Sequence, residues 1–273
     1  MPLKLMYITN NPEIAAIAES SGVDRIFVDM EYIGKEIRQN GLDTVKSHHT
    51  VEDVKNIRQV LNKTELLVRI NPIHEHTQQE IDSVIDAGAD IIMLPMAKTV
   101  KEVKSFVDFV NGRTKTLLLL ETAEAKENIK PMLDVGGIDM VHIGLNDLHL
   151  SYKMKFMFEL LTDGTVEDLC NIISSYNIPY GFGGIARIGF GMLPAEYVIA
   201  EHYRLGSSMA ILSRSFCDIY KMDDTEKIEQ LFKQEIAKIR NYEEELLEKD
   251  DKFFGNNRKE TIQRVKNIVD KID

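Results

Sequence analysis

Short hydrophobic runs alternate with longer amphipathic stretches over most of the chain. The runs have the length of buried strands, and the sequence contains seven clear ones and a weaker eighth: 3–9, 26–30, 66–70, 91–94, 116–120, 140–143, 179–182 and, weakest, 208–212. Between them lie stretches with helical spacing of their apolar residues: 12–20, 51–61, 77–87, 100–110, 123–133, 166–176 and 194–201. Strands that alternate with helices in this way indicate a parallel sheet built from β-α units.

The boundaries of several of these helices carry local signals. The run His49-Thr50-Val51-Glu52-Asp53 resembles a capping box with acidic residues in the first turn. Gly22, Gly88 and Gly137 each stand between a helical stretch and the next strand, where a left-handed helix cap is common.

Eight units in this order predict a closed (β/α)8 barrel, a TIM barrel, with additional C-terminal helices. The main alternative is an open, doubly wound sheet of the Rossmann type, which requires a glycine-rich phosphate turn after its first strand. The first turn here is Thr9-Asn10-Asn11-Pro12, without glycine, and the Gly-Phe-Gly-Gly stretch at 181–184 comes only after the seventh strand. The barrel is therefore favoured.

The last 51 residues depart from this alternation, so we divide the chain into a barrel, 1–222, and a helical extension, 223–273. One face of the extension carries apolar residues at helical spacing: Ile228, Leu231, Phe232, Ile236 and Ile239. A second helix is expected over 259–272. The apolar face could cover the outside of the barrel or contact a neighbouring subunit.

Composition narrows the class of protein. The formal charge of −11 argues against nucleic-acid binding, which requires a basic surface. No apolar run approaches the ~20 residues of a membrane span, and the N-terminus lacks the pattern of a signal peptide. Cys170 and Cys217 form no metal-type cluster and are expected to be buried, reduced thiols. A cytoplasmic protein is expected.

Two acidic residues follow neighbouring strands and suggest a metal site. Glu121 comes directly after the fifth strand and Asp147 shortly after the sixth. Ligands of parallel α/β folds bind at the C-terminal ends of the strands, and Mg²⁺ and Mn²⁺ prefer carboxylate and water ligands. We therefore expect Glu121 and Asp147 to bind one divalent cation. The competing interpretation is a helix-capping or first-turn acid, which applies most to Asp147.

Charged residues at three other strand ends are candidates for substrate binding. Arg69 lies within an apolar strand, so it requires an anion, which could be a substrate carboxylate or enolate, or a strand-end acid. Asp29 and Glu31 end the second strand and share one face by alternation. Arg187 follows the seventh strand, where loops often hold anionic groups, or it faces solvent.

The seven histidines show no compact metal-binding spacing. His48 and His49 follow the second strand, and His74 and His76 follow the third. Each is on the correct side of a barrel to act as an acid or base, although an exposed loop histidine is the simpler interpretation of each.

Taken together, these stretches resemble the HpcH/HpaI aldolase and citrate lyase β-subunit superfamily. Five short stretches carry the resemblance, in the order found in that family: Val-Asp-Met-Glu at 28–31, Arg-Ile-Asn-Pro at 69–72, Gly-Ala-Asp-Ile-Ile-Met-Leu-Pro-Met at 88–96, Leu-Glu-Thr-Ala-Glu-Ala at 120–125 and Ile-Gly-Leu-Asn-Asp-Leu at 143–148. The resemblance implies a (β/α)8 barrel that binds Mg²⁺ or Mn²⁺ through Glu121 and Asp147. It also implies that Arg69 contacts the keto or enolate oxygen of a pyruvate-like 2-oxo acid, and that the protein is a homo-oligomer.

The implied reaction is reversible carbon–carbon cleavage or aldol addition through a metal-stabilised enolate. Two positions depart from the family pattern. Tyr32 stands where the HpaI branch has a histidine after the second strand, and Leu119 stands where it tends to have glutamine. Tyr32, His48 or His49 could transfer the proton instead. A citrate-lyase-type acyl-CoA lyase and a catalytically altered barrel that retains metal and anion binding are the alternatives.

Overall fold

The computed structural model describes residues 1–34, 49–213, 216–217 and 224–272. Eight parallel strands form a closed barrel in sequence order, each paired with its neighbours and β8 paired with β1. The strands are β1 Lys4–Ile8, β2 Arg25–Asp29, β3 Glu65–Arg69, β4 Ile91–Leu94, β5 Lys115–Leu120, β6 Met140–Ile143, β7 Tyr180–Ile185 and β8 Met209–Leu212. The predicted (β/α)8 barrel with additional C-terminal helices is confirmed.

Helices follow the strands and cover the barrel. In the described part of the chain they are α1 Pro12–Ser20, α2 Val51–Val60, α3 Thr77–Asp86, α4 Val100–Val110, α5 Ala123–Glu127, α6 Ile129–Leu133, α7 Leu145–Ser151, α8 Glu159–Thr162, α9 Thr165–Ser175, α10 Ala195–Arg204, α11 Thr225–Leu247 and α12 Asp251–Val269. Thr50 caps α2 in the expected capping box with Asp53. Gly22 and Gly88 directly follow the C-cap residues of their helices and have the positive φ angles expected of left-handed caps. Gly137 also has a positive φ angle, but it lies three residues beyond Asp134, the C-cap of α6, and so does not cap that helix.

Two helices differ from their predicted bounds for local reasons. The stretch 123–133 forms two short helices separated at Asn128, because Pro131 lacks the N–H that a continuous helix would bond to the carbonyl of Glu127. The last helix begins at Asp251 rather than at residue 259, since Asp250 caps it by accepting a hydrogen bond from the Phe253 N–H. Gly255, which resembles a helix breaker in the sequence, is accommodated within α12.

The barrel interior is filled by inward-facing strand residues. They are Met6, Phe27, Leu67, Ile91, Met93, Leu117, Leu119, Met140 and Met209. Because side chains alternate along a strand, Glu121, directly after β5, continues the inward-facing series of Leu117 and Leu119. Gly181 lies where a β-carbon would approach the Met209 carbonyl oxygen to 2.2 Å, so only glycine fits there.

The C-terminal helices contact the barrel of the same chain. Helix α11 packs on α1 and α10, and α12 packs on α10 and α8. The Phe232 ring meets the Tyr7 ring edge-on at a centroid distance of 4.9 Å, and the Leu3 N–H donates to Glu243 at 2.7 Å. The division of the chain after residue 222 and a subunit contact through these helices stay predictions. In the described ranges, none of the helices is both long and apolar enough for a transmembrane span.

Candidate functional site

The C-terminal rim of β2 and β3 carries a buried cluster of one arginine and two acids. Asp29 and Arg69 are register partners in neighbouring strands. The Arg69 Nε and Nη2 atoms donate to the two carboxylate oxygens of Asp29, each at 2.8 Å, and Nη2 lies 3.4 Å from Glu31 Oε2. Asp29 and Glu31 are both about 2% exposed and the Arg69 side chain is 14% exposed. The structure thus brings together the three charged residues that the sequence placed at these strand ends.

The charges explain how an arginine is accommodated at this depth. Burial alone lowers the pKa of Arg69, but the carboxylates of Asp29 and Glu31 outweigh it, so the pKa is raised and the guanidinium stays charged. The bidentate geometry is the strongest form of this ion pair. Arg69 is therefore fixed in position before any ligand binds.

Glu121 lies buried at the end of β5, 3% exposed. Its Oε1 atom accepts a hydrogen bond from the Met96 N–H at 3.1 Å. Burial raises the pKa of Glu121, the nearby negative charge of Asp147 raises it further, and Arg69 opposes both, with a pKa of about 8 as the result. A cation bound between Glu121 and Asp147 would relieve the repulsion between these two carboxylates.

The turn between β6 and α7 lies close to Glu121 and leads to Asp147. The Gly144 N–H donates to the Leu120 carbonyl oxygen at 2.8 Å and Gly144 caps α7, whose third residue is Asp147. A β-carbon at Gly144 would lie 2.9 Å from the Glu121 Cβ and 3.0 Å from its Oε2. The absence of a side chain at Gly144 therefore leaves the space that the Glu121 side chain occupies, and Asp147 lies near enough for its charge to raise the pKa of Glu121.

Glu121 and Asp147 are the two carboxylates that we consider as ligands here, and Glu31 adds negative charge nearby. No group of three or more His, Cys, Asp and Glu side chains suited to a metal occurs among the described residues. The donor set of Glu121 and Asp147 fits a hard cation such as Mg²⁺ or Mn²⁺, which retains several water or substrate oxygens besides one or two carboxylates. The same set does not fit Zn²⁺, which prefers nitrogen and sulfur ligands in a closed tetrahedron.

The candidates for proton transfer differ in how they are held. Tyr32 is 61% exposed, and its backbone N–H donates to Asn71 Oδ1 at 3.0 Å. His49 is partly buried, and its Nδ1 accepts the Asp29 N–H at 3.0 Å, which assigns the proton of the neutral ring to Nε2. His48 lies outside the described residues.

Arg187 lies in the loop after β7. Its guanidinium stacks on the Phe190 ring at 4.2 Å, and its Nε is buried without a hydrogen-bond partner. The structure places this loop beyond β7, the strand that α7 contacts. It does not bring Arg187 into the ion-pair cluster of Arg69.

Several residues of this rim were not predicted. Asn71 and Glu80 hold the backbone after β2: Asn71 Oδ1 accepts the N–H groups of Tyr32 and Ile33, and Asn71 Nδ2 donates to Glu80 at 2.7 Å. Met96, the donor to Glu121, has a left-handed backbone with φ +54°. An asparagine directly after an apolar strand is a usable sequence signal for Asn71, whereas nothing local in the sequence marks Met96.

Comparisons with known proteins agree with this architecture. The chain is similar in fold to an HpcH/HpaI aldolase from Desulfitobacterium hafniense DCB-2, with a TM-score of 0.61 and 16% identity over 78% of this chain and 86% of that one. It is also similar to an HpcH/HpaI aldolase/citrate lyase family protein from Burkholderia cenocepacia J2315, with a TM-score of 0.61 and 12% identity over 88% and 95%. The citrate synthase SbnG gives a TM-score of 0.60 and 16% identity over 89% and 95%.

Of the two sequence comparisons, one gives a match. The curated protein sequences yield no match. The family model for HpcH/HpaI aldolase/citrate lyase matches residues 4–159, which is more than half of the chain and contains every strand from β1 to β6. Since that span includes Asp29, Arg69, Glu121 and Asp147, the rim described above lies within the matched region, and the chain belongs to the HpcH/HpaI aldolase/citrate lyase family.

Proposed function

We propose that this protein is a divalent-metal-dependent carbon–carbon lyase or aldolase that acts on a pyruvate-derived 2-oxo acid through an enolate. Family membership supports a lyase or aldolase. The observation that carries the finer proposal is the burial of Glu121 beside Asp147, at the strand end next to the Arg69 cluster.

Glu121 and Asp147 would hold the cation, Mg²⁺ or Mn²⁺. When bound, the cation supplies Lewis-acid stabilisation of the negative charge that develops when a carbon–carbon bond next to a carbonyl group breaks. Glu121 is oriented for this role by the Met96 N–H. Its low exposure keeps bulk water from competing with a substrate oxygen.

Arg69 would bind the keto or enolate oxygen. Its contacts with Asp29 and Glu31 engage Nε and Nη2, so Nη1 is the amino group that we assign to the substrate. A guanidinium fixed by a bidentate ion pair needs no reorganisation when negative charge develops next to it, which is the condition for effective electrostatic stabilisation. Asp29 and Glu31 would position Arg69, and Arg187 stays a candidate for a second anionic group of the substrate.

The group that moves the proton is proposed from Tyr32, His48 and His49. The Asp29 N–H donates to His49 Nδ1. This nitrogen therefore does not serve as the base, because a base needs an unprotonated nitrogen directed at the substrate. The exposed phenol of Tyr32 occupies the position at which the resemblance expects histidine.

An acyl-CoA lyase is the second candidate function. The matched family includes citrate lyase, and one protein of similar fold is a citrate synthase. The segment after β2 contains three basic residues that would meet an anionic acyl-CoA, and they lie outside the described residues: Lys35, Arg38 and Lys46. A barrel that binds metal without turnover is the third candidate, supported by Tyr32 at the position at which the resemblance expects histidine.

The test is exchange of the pyruvate methyl protons in D2O with Mn²⁺, followed by NMR. We expect exchange by the wild-type protein and at least a hundred-fold loss in Glu121→Gln and Asp147→Asn. Glu124→Gln is the matched control, since Glu124 is exposed on α5 only three residues after Glu121, and it should exchange at the wild-type rate.

Absence of exchange together with absence of Mn²⁺ binding by calorimetry would reject the proposal. Mn²⁺ binding without exchange, with retention on immobilised CoA, would favour the acyl-CoA lyase. Mn²⁺ binding without proton exchange and without retention on immobilised CoA would favour the inactive barrel.

A further inference from the structure

One buried histidine below the rim has no part in the proposed reaction. His142 lies on β6, two residues after Met140, and because side chains alternate along a strand it faces the barrel interior as Met140 does. Its register partner on β5 is Leu119, which also faces the interior. His142 is 1% exposed. It therefore lies in the layer of the barrel directly below Glu121 and Gly144.

A hydrogen bond to the neighbouring strand orients the His142 ring. Its Nε2 atom lies 3.1 Å from the Gly183 carbonyl oxygen. A carbonyl oxygen only accepts, so Nε2 carries the proton and Nδ1 of the neutral ring carries none. Among the residues that the structure describes, Nδ1 has no hydrogen-bond partner. In this part of the chain, the bond to Gly183 is therefore the polar contact that orients the imidazole.

The surroundings keep the imidazole neutral. Burial lowers the pKa of His142 to about 4, the hydrogen bond to Gly183 opposes this change, and the positive charges of Arg25 and Arg69 add to it. At pH 7 the ring therefore donates through Nε2 without a charge. A group with this pKa is a weak base at pH 7, so His142 acts here as a hydrogen-bond donor.

The acceptor lies at an irregular point of the sheet. The register pairs of β6 with β7 run as far as Ile143 and Phe182, and Gly183 follows directly. Gly183 has φ +54°, a left-handed backbone that departs from an extended strand. The register of β7 with β8 is irregular in the same region. The His142 side chain thus bonds a carbonyl group just beyond the regular pairing of its own strand.

Gly183 in turn adjoins the first turn of α7. A β-carbon at Gly183 would lie 2.7 Å from the Leu145 Cδ1 and 3.2 Å from its Cγ, so the Leu145 side chain lies directly against the glycine. Leu145 is the first residue of α7 and is 1% exposed, and Asp147 is the third residue. Through the buried Leu145 side chain, β7 therefore limits the position of the turn that carries Asp147.

We propose that His142 is a positioning residue for Asp147. Its Nε2–H holds the Gly183 carbonyl group, Gly183 provides the surface on which Leu145 packs, and Leu145 fixes the first turn of α7. His142 acts through these two residues, and contact with the cation or the substrate is not part of its role. The inference rests on the proposed function for what Asp147 binds, whereas the contacts from His142 to α7 exist without a ligand.

The first test is the Kd for Mn²⁺ by calorimetry at pH 7. We expect His142→Phe, which keeps a ring but removes the donor, to weaken Mn²⁺ binding at least five-fold. His142→Gln retains an N–H donor and should stay within two-fold of the wild type. His202→Phe is the matched control and should also stay within two-fold. His202 is 0% exposed on α10, where its ring stacks on Phe182 of the outer face of β7 and contacts the Ser207 hydroxyl.

Gly183→Ala tests the second contact in the series. The added β-carbon would displace Leu145, and φ +54° disfavours alanine, so we expect at least a five-fold weaker Kd for Mn²⁺. Gly189→Ala is its matched control, since Gly189 has φ +81° and nothing within 4 Å of an added β-carbon. This variant introduces similar backbone strain without a contact to α7 and should bind Mn²⁺ as the wild type does.

Two measurements need no metal. Long-range ¹H–¹⁵N NMR at pH 7 should show His142 as the neutral tautomer with its proton on Nε2. Amide hydrogen exchange reports on α7 at Leu148, whose N–H donates to the Gly144 carbonyl oxygen. We expect this amide to exchange at least ten-fold faster in His142→Phe, and at the wild-type rate in His142→Gln and His202→Phe.

Three results would overturn the inference. They are a His142 ring protonated on Nδ1, a loss of Mn²⁺ affinity smaller than five-fold in His142→Phe, and equal losses in His142→Phe and His202→Phe. If His142→Phe does not fold, equal Kd values for Gly183→Ala and Gly189→Ala overturn it instead.

Failure of the proposed function has a different signature. If the wild type binds no Mn²⁺ while Leu148 exchanges faster in His142→Phe alone, the proposed function fails and the positioning of α7 by His142 stands. If the wild type binds no Mn²⁺ and Leu148 exchanges at one rate in all variants, both fail.

Discussion

Arg69 and Asp29 form a bidentate ion pair across neighbouring strands, with two hydrogen bonds of 2.8 Å. They are register partners at the last position of β3 and of β2. The arginine that the sequence suggested for substrate binding is thus also a structural ion pair. Both interpretations apply because the same contact that neutralises the guanidinium also fixes its direction.

Asp29→Asn is predicted to destabilise the protein. Among the described residues, the substitution leaves Glu31 as the ion-pair partner of the buried guanidinium. Removal of one partner of a buried pair costs about 3–5 kcal/mol. Urea unfolding monitored by circular dichroism measures the change. Glu124→Gln, which breaks the exposed pair with Lys98, should change the free energy of unfolding by less than about 1 kcal/mol. Equal effects of the two substitutions would contradict a structural role for Asp29.

Strand positions were predictable because each buried strand is a short hydrophobic run. Ile91–Leu94 and Met140–Ile143 have the predicted bounds. β7 is longer than its hydrophobic run, since it continues through Gly183 and Gly184 with a register irregularity. Glycine does not count as hydrophobic. A prediction based on hydrophobic runs therefore makes a strand too short when the strand contains glycines for close approach to its neighbour.

Residues of the candidate site were predictable from the sequence only where a single residue differs in polarity from its immediate neighbours. A charged residue at the end of an apolar run marks its own position, which is why Arg69 and Glu121 stood out. The donor to Glu121 is a backbone N–H at Met96, and every residue type except proline has that group. The same limit applies to Glu80, whose contact with Asn71 depends on how α3 packs at the end of β3.

Glu121→Gln is predicted to separate the stability of the metal-free protein from metal binding. A pKa of about 8 keeps the metal-free Glu121 mostly protonated at pH 7, and this uptake of a proton on folding costs stability that a neutral glutamine does not cost. The metal-free melting temperature of the variant should therefore be unchanged or higher. Mn²⁺ at 100 times its Kd would stabilise the wild type by about 2.7 kcal/mol, a rise of roughly 5–10 °C for a domain of this size. Differential scanning calorimetry with and without Mn²⁺ measures both values. A Mn²⁺-dependent rise that persists in the variant would show that Glu121 does not bind the ion.

Gly144→Ala is predicted to impair metal binding through a steric effect. The added β-carbon would lie 2.9 Å from the Glu121 Cβ and 3.2 Å from the Leu119 Cδ1, so the Glu121 side chain must move. We expect at least a ten-fold weaker Kd for Mn²⁺ by calorimetry.

Gly255→Ala is the matched control for that substitution. Gly255 lies in α12 with nothing within 4 Å of an added β-carbon. Alanine favours a helix over glycine by about 1 kcal/mol, so this variant should bind Mn²⁺ normally and be slightly more stable. Similar losses of Mn²⁺ affinity in both variants would contradict the steric argument.

Asn71→Leu is predicted to disturb the segment that carries Glu31 and Tyr32. The substitution removes the acceptor of two N–H groups and leaves Glu80 without its side-chain donor. Each unsatisfied buried group costs about 1–3 kcal/mol. We expect lower stability in urea and faster amide hydrogen exchange at Tyr32 and Ile33, measured by mass spectrometry. Thr114→Val, which removes a hydroxyl contact at the opposite end of the barrel strands, should not alter exchange at these two residues.

Glu19→Gln is predicted to lower stability in a pH-dependent manner. Burial alone raises the pKa of Glu19, but the backbone N–H groups of Lys63 and Thr64 and further bonds from Asn62 lower it from 4.5 to about 2. Because the pKa in the folded protein lies below that of the unfolded chain, the contribution is complete above pH 4.5 and is lost as the pH falls towards 2.

Hydrogen bonds to a charged group contribute about 1.5–3 kcal/mol. At pH 7 the free energy of unfolding of the wild type should therefore exceed that of Glu19→Gln by roughly this amount. This difference in the free energy of unfolding should become smaller between pH 4.5 and pH 3, as measured by urea unfolding at each pH. Glu75→Gln serves as the reference, since the Glu75 side chain is 84% exposed and its substitution should have little effect at any pH. A difference between wild type and Glu19→Gln that stays constant from pH 7 to pH 3 would mean that the charge of Glu19 does not stabilise the connection between α2 and β3.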